Sequence, residues 1–105
     1  MDLNLAGKTA LVTAASGGIG SGVAEALAAA GVRVAVSSRT RAALETLADR
    51  LASSAGGRPA IVVGDVGAER GPAEIAADAA SALGGRIDIL VNNAWRGATD
   101  QRRGG

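Results

Sequence analysis

The stretch with the clearest chemistry is Thr13-Ala14-Ala15-Ser16-Gly17-Gly18-Ile19-Gly20. Small residues at this density let a backbone come close to an anion. Main-chain N–H groups that converge at the start of a helix favour its negative charge. A pyrophosphate suits such a turn when a strand precedes it and a helix follows; without that context the same residues describe only a tight turn. A second place is Ser37-Ser38-Arg39, which carries a guanidinium and no acid. Absences narrow the chemistry further. The chain has no His, Cys, Tyr or Phe, and its single Lys is Lys8. Serine–histidine catalysis, imidazole or thiolate metal ligation, a disulfide scaffold and a tyrosine acid are thereby excluded within these 105 residues.

The elements around the glycine-rich stretch supply the context. Thr9–Thr13, Val32–Val36, Ala60–Val63 and Ile87–Val91 are short runs rich in β-branched residues, as expected of strands buried on both faces. Between them the apolar spacing turns helical. Ile19, Val23, Leu27 and Ala30 predict one apolar stripe, stopped by Gly31. Leu44, Leu47 and Leu51 predict a second after Thr40 as N-cap. Ile75, Ala79 and Leu83 predict a third, with Pro72 at its first position and Gly84 after its end. The order β-α-β-α-β-α-β predicts an α/β, doubly wound parallel sheet. Right-handed crossovers put the first two helices on one face and the third on the other.

Composition agrees with a single domain. Apolar residues make up 48% of the chain, 25 of them Ala, and the net charge is +1. That balance speaks against a nucleic-acid or membrane-surface partner recruited by bulk charge. No apolar run approaches the ~20 residues of a membrane helix, and the first residues do not read as a secretory signal. A cytoplasmic location is the expectation. Residues 95–105 lose the apolar periodicity and hold three of the 11 basic residues. They are expected to be an irregular, disordered tail after a partial domain over 1–94.

Three motifs together carry a family resemblance. Residues 13–20 resemble the Thr-Gly-x-x-x-Gly-Ile-Gly fingerprint of short-chain dehydrogenases/reductases, including those of the 3-oxoacyl-ACP-reductase type. Asp65-Val66 after the third strand is similar to the family's Asp-Val pair, whose acid contacts adenine. Asn92-Asn93-Ala94 after the fourth is similar to its Asn-Asn-Ala-Gly. The resemblance implies a Rossmann-like sheet of order 3-2-1-4, truncated here after the fourth strand. It also implies a cofactor site built from Ala14, Ser16, Gly18, Ile19, Gly20, Arg39, Asp65, Val66, Asn92, Asn93 and Ala94. There are two departures. Ala14 stands where the family has glycine, which costs on the order of 1 kcal/mol if that residue has positive φ and little otherwise. Trp95 replaces the glycine that runs beside the cofactor.

In dinucleotide-binding folds an acid closing the second strand bonds the ribose 2′-hydroxyl, whereas an Arg there accommodates a 2′-phosphate. Arg39 therefore favours NADP over NAD, unless it is simply a solvated residue before a helix. Asp65 keeps two readings, a turn residue and an adenine contact. Asn92 ties strands together and touches cofactor in the family. The family's hydride transfer depends on a Tyr-x-x-x-Lys pair, and this chain has no Tyr. The expectation is a cofactor-binding half of an oxidoreductase, inactive by itself. A non-catalytic nucleotide-binding module and an inert relic remain as alternatives. The change at Trp95 fits a shifted reading frame or a truncation. The fourth strand is expected to leave an apolar edge open to self-association or to pairing with a longer homologue.

Overall fold

The structure, a computed structural model, describes residues 4–65, 67–68 and 71–92. Its elements follow the expected order: β1 (Thr9–Thr13), α1 (Gly18–Ala29), β2 (Arg33–Ser38), α2 (Arg41–Arg50), β3 (Ala60–Val63), α3 (Gly71–Ala82) and β4 (Ile89–Val91). All pairings are parallel and the sheet order is β3-β2-β1-β4, the Rossmann-like arrangement. Strand side chains alternate between faces, so two cores form. Ala24 and Ala28 of α1 and Leu44 and Leu47 of α2 pack with Leu51 over Val12, Val34 and Val36. On the opposite face Ile75 and Ala79 of α3 pack with Leu83 over Leu11, Ala35 and Val62. The helix placement is the one right-handed crossovers require.

The stripe on α1 differs from the expected one. Its buried residues are Gly20, Ala24 and Ala28, whereas Ile19 is 79% exposed. Steric closeness explains the rotation, because a helix that starts hard against the end of β1 can present only small residues to the sheet. The helix then ends as Gly31 predicts, with φ +89° at that glycine. The Gly31 N–H donates to the Ala28 carbonyl and the Val32 N–H to that of Leu27, the paired bonds of a Schellman cap. Val32 is thus engaged by the helix end, and β2 starts one residue later than its apolar pattern.

Strand bounds shift at the other end too. β2 runs on through Ser37 and Ser38, which pair with Val62 and Val63. Thr40 is the α2 N-cap by position, yet its side chain makes no capping bond, and its N–H donates to Ser38 Oγ at 3.1 Å. Gly71, not Pro72, opens α3. β1 and β2 are buried almost throughout, but β3 and β4 are only partly covered, with Val63 40% and Leu90 63% exposed.

β4 begins late because Asp88 is held from the side by β1. Its carboxylate accepts the Thr9 N–H at 2.9 Å and pairs with the Arg86 guanidinium at 2.9 Å, while Thr9 Oγ1 donates to the Arg86 carbonyl at 2.7 Å. The Thr9 N–H, with Arg86 as a further cause, holds this carboxyl below the usual carboxylate range against an opposing push from desolvation. A depressed carboxylate contributes stability that is complete above its unfolded pKa of ~3.9. That contribution disappears as pH falls through the lower folded value. Asp88→Asn is therefore expected to lower the melting temperature at neutral pH and to flatten the acid limb below pH ~4, which thermal melts across pH would read. Ser37 Oγ is fully buried without a hydrogen-bond partner. Ser37→Ala should raise stability by about 1 kcal/mol, and urea denaturation with no gain would contradict that burial cost.

Candidate functional site

Four parallel strands bring their C-terminal ends to one edge of the sheet. The chain leaves β1 for one face and enters β4 from the other, so the crevice beyond β1 and β4 is a topological switch point, where such sheets bind ligands. All four sequence motifs with described residues lie there, beginning with the glycine-rich loop after β1, Ser38-Arg39 at the end of β2, and Asp65 after β3. Asn92, after β4, completes the row. Lys8 precedes β1 and sits at the opposite edge.

The loop after β1 must turn the chain within four residues, from Ala14 to Gly17. Ala14 does so with φ +53°, in the left-handed region, so the costlier of its two cases applies. The next residue, Ala15, is buried, and its N–H donates to the Ser37 carbonyl at 3.0 Å, tying the loop to β2. A Cβ at Gly20 would lie 2.5 Å from the Ala14 carbonyl oxygen, so glycine is obligatory for this approach of helix to strand. Gly18 is different, because a Cβ there would meet nothing within 4 Å. Its missing side chain leaves open space in front of the helix end. Gly17 is the N-cap and supplies no capping side chain, and the first turn of α1 carries no acid. The leading N–H groups of α1 thus have no side-chain cap, and such uncapped groups at a helix start suit an anion. Ser16 and Ile19 are exposed on its rim.

Arg39 lies one strand away and is exposed. Arg41, Arg50, Arg58 and Arg86 each pair with a carboxylate; the Arg39 guanidinium has no partner among the described residues. The turn that carries it is shaped by Ser38, whose Oγ accepts the Thr40 N–H. Sequence reasoning did not single Ser38 out for this, although a hydroxyl two residues before Thr40 is the signal of such a turn. Asp65 is partly buried, and its Oδ1 accepts the Gly67 N–H at 2.8 Å, the bond of an Asx-turn. The turn role of Asp65 is therefore present, and its second carboxylate oxygen leaves the adenine role compatible with it. Asn92 accepts a hydrogen bond from Thr13 Oγ1 at 3.0 Å, the strand-tying part of its expected role. Val66, Asn93, Ala94 and Trp95 lie outside the described residues. No group of acids able to hold a metal occurs among the described residues, and none of their helices is long and apolar enough to cross a membrane.

Fold and site together define a Rossmann-like unit, and comparison with known proteins makes the class specific. The short chain dehydrogenase family model matches residues 8–102, past Trp95. The chain belongs to the short-chain dehydrogenase/reductase family. It is 43% identical over 93 residues to D-threitol dehydrogenase of Mycolicibacterium smegmatis, covering 89% of this chain and 35% of that protein. It is 43% identical over 91 residues to the rhamnolipids biosynthesis 3-oxoacyl-[acyl-carrier-protein] reductase of Pseudomonas aeruginosa, covering 87% and 34%. The crystal structure of L-sorbose reductase from Gluconobacter frateurii, complexed with NADPH and L-sorbose, superposes with a TM-score of 0.84 at 35% identity. That match covers 93% of this chain and 37% of the reductase. The chain spans about a third of the length of the curated relatives it matches.

The left-handed Ala14 carries a measurable cost. Glycine adopts that conformation without strain but gives more freedom to the unfolded chain. Ala14→Gly is expected to stabilise the fold by about 0.5–1 kcal/mol. Chemical denaturation of the two proteins side by side measures it, and a destabilised variant would refute the strain at this position.

Proposed function

We propose that this chain is the NADP(H)-binding half of a short-chain dehydrogenase/reductase and holds the cofactor without catalysing by itself. One observation carries the reading: a helix N-terminus with no side-chain cap faces open space at Gly18, and Arg39, without a partner among the described residues, directly follows the neighbouring strand. The N–H groups at the start of α1, with Ser16, Gly18, Ile19 and Gly20 around them, cradle the pyrophosphate. Arg39 neutralises the ribose 2′-phosphate. Asp65 faces the adenine with the carboxylate oxygen that its turn does not use, and Asn92 fixes the end of β4 beside the ribose.

NADP(H), when bound, supplies or accepts a hydride, in the parent reaction from or to a carbonyl or alcohol carbon. The oxygen of that group must gain or lose a proton in the same reaction. A tyrosine acid of this family does so with a nearby lysine lowering its pKa. This chain has no Tyr, and Lys8 lies at the far edge of the sheet. Its residues therefore bind and orient, and no residue here moves the proton.

A titration of NADPH and NADH fluorescence tests the reading. NADPH is expected to bind ten- to a hundredfold more tightly than NADH, since an Arg–phosphate bond contributes roughly 1.5–3 kcal/mol. Arg39→Asp should remove that difference while sparing NADH, and no carbonyl substrate should be reduced. Equal affinity of the unaltered chain for the two cofactors would overturn the assignment of Arg39.

A further inference from the structure

Arg39 occupies a one-residue junction. It follows Ser38, the last residue of β2, and precedes Thr40, the N-cap of α2, and it is exposed. Ser38 itself is only 8% exposed and is bonded in two directions. Its main-chain carbonyl accepts the Gly64 N–H at 3.0 Å, one residue before Asp65. Its Oγ accepts the Thr40 N–H at 3.1 Å and donates to the Thr40 carbonyl at 3.4 Å. The hydroxyl bonds thus close a small ring around Arg39, a turn made by a serine side chain. Thr40 makes no capping bond with its own side chain, so the Ser38 hydroxyl supplies the side-chain hold on this junction. The carbonyl bond belongs to the backbone and survives a change of side chain, whereas the hydroxyl bonds do not.

We propose that Ser38 is a positioning residue for cofactor selectivity, its hydroxyl fixing the backbone from which Arg39 meets the 2′-phosphate. The inference rests on the reading of Arg39 as the ligand of that phosphate. An arginine on a loose junction must be ordered when its ligand binds, and the ordering weakens the contact. A backbone already closed into a turn has less freedom to lose. The rest of the site is held by other bonds. Asp65 makes its own turn with the Gly67 N–H, and the Ala15 N–H ties the glycine-rich loop to the Ser37 carbonyl. NADPH and NADH differ only in the 2′-phosphate, so losing the Ser38 hydroxyl weakens NADPH and spares NADH.

Fluorescence titrations of NADPH and NADH against the 105-residue chain and its Ser38 variants test this. Ser38→Ala is expected to cut the preference for NADPH roughly three- to tenfold, the effect of one lost hydrogen bond, with NADH affinity and circular dichroism unchanged. Ser38→Thr keeps the hydroxyl and should restore the preference. Ser38→Cys matches serine in shape but accepts hydrogen bonds poorly; it should behave as Ser38→Ala does, which gives a second reading if the alanine variant folds badly. A preference that Arg39→Asp removes but Ser38→Ala and Ser38→Cys leave intact would overturn this inference and leave Arg39 in its role. Equal weakening of both cofactors would reduce Ser38 to a structural residue, and a threonine variant as impaired as the alanine one would refute the part given to the hydroxyl. An unaltered chain without any preference for NADPH would overturn the Arg39 reading and this inference together.

Discussion

The tightest constraint on this molecule is the exit of the chain from β1. That strand is central and wholly buried, so its successor cannot drift outward before it turns. The turn uses a left-handed residue at Ala14 and a close approach of Gly20 to the Ala14 carbonyl. From this approach follow the small-residue face of α1, the exposure of Ile19 and the position of the helix N-terminus over the end of the sheet. The packing of α1 and the position of its uncapped N-terminus are thus consequences of one steric requirement. Gly18, which the packing does not need, is free to leave room for a ligand.

Two threonines at the ends of β1 do a comparable job for β4. Thr9 engages Asp88 and the Arg86 carbonyl before β4 begins, and Thr13 donates to Asn92 after it ends. A three-residue strand has few ladder bonds of its own, so these side-chain bonds set where it starts and stops. They also place Asn92 at the crevice.

The chain belongs to the short-chain dehydrogenase/reductase family and spans about a third of the relatives' length; the role proposed for it is to hold a dinucleotide. Holding a dinucleotide needs strand ends, a helix N-terminus and a cation, and a parallel sheet provides these locally. Moving a proton to a substrate oxygen is the work of the family's tyrosine acid, and these 105 residues contain no Tyr. Ser38 illustrates how the holding half is built. It touches no ligand in the proposed arrangement, yet its bond to the Thr40 N–H sets the turn from which Arg39 projects.

The sequence by itself determined the order of the elements, because strand and helix periods differ and Gly31 and Gly84 stop their helices wherever they sit in space. It determined the glycine-rich turn between β1 and α1, and it excluded the tyrosine acid outright. It did not determine the sign of φ at Ala14, which depends on how closely α1 must approach β1. Nor did it determine which stripe of α1 turns inward: the smaller Gly20, Ala24 and Ala28 are buried, while of the more apolar stripe Val23 and Leu27 pack at the margin of the core and Ile19 is exposed. The burial of an unpartnered Ser37 hydroxyl and the side-chain hold on β4 were equally invisible. Thr9 and Asp88 are 79 residues apart in the chain, and no local pattern encodes a bond between them. Periodicity is written by neighbours in sequence, whereas close approach, strain and edge exposure are decided only when distant segments occupy the same space.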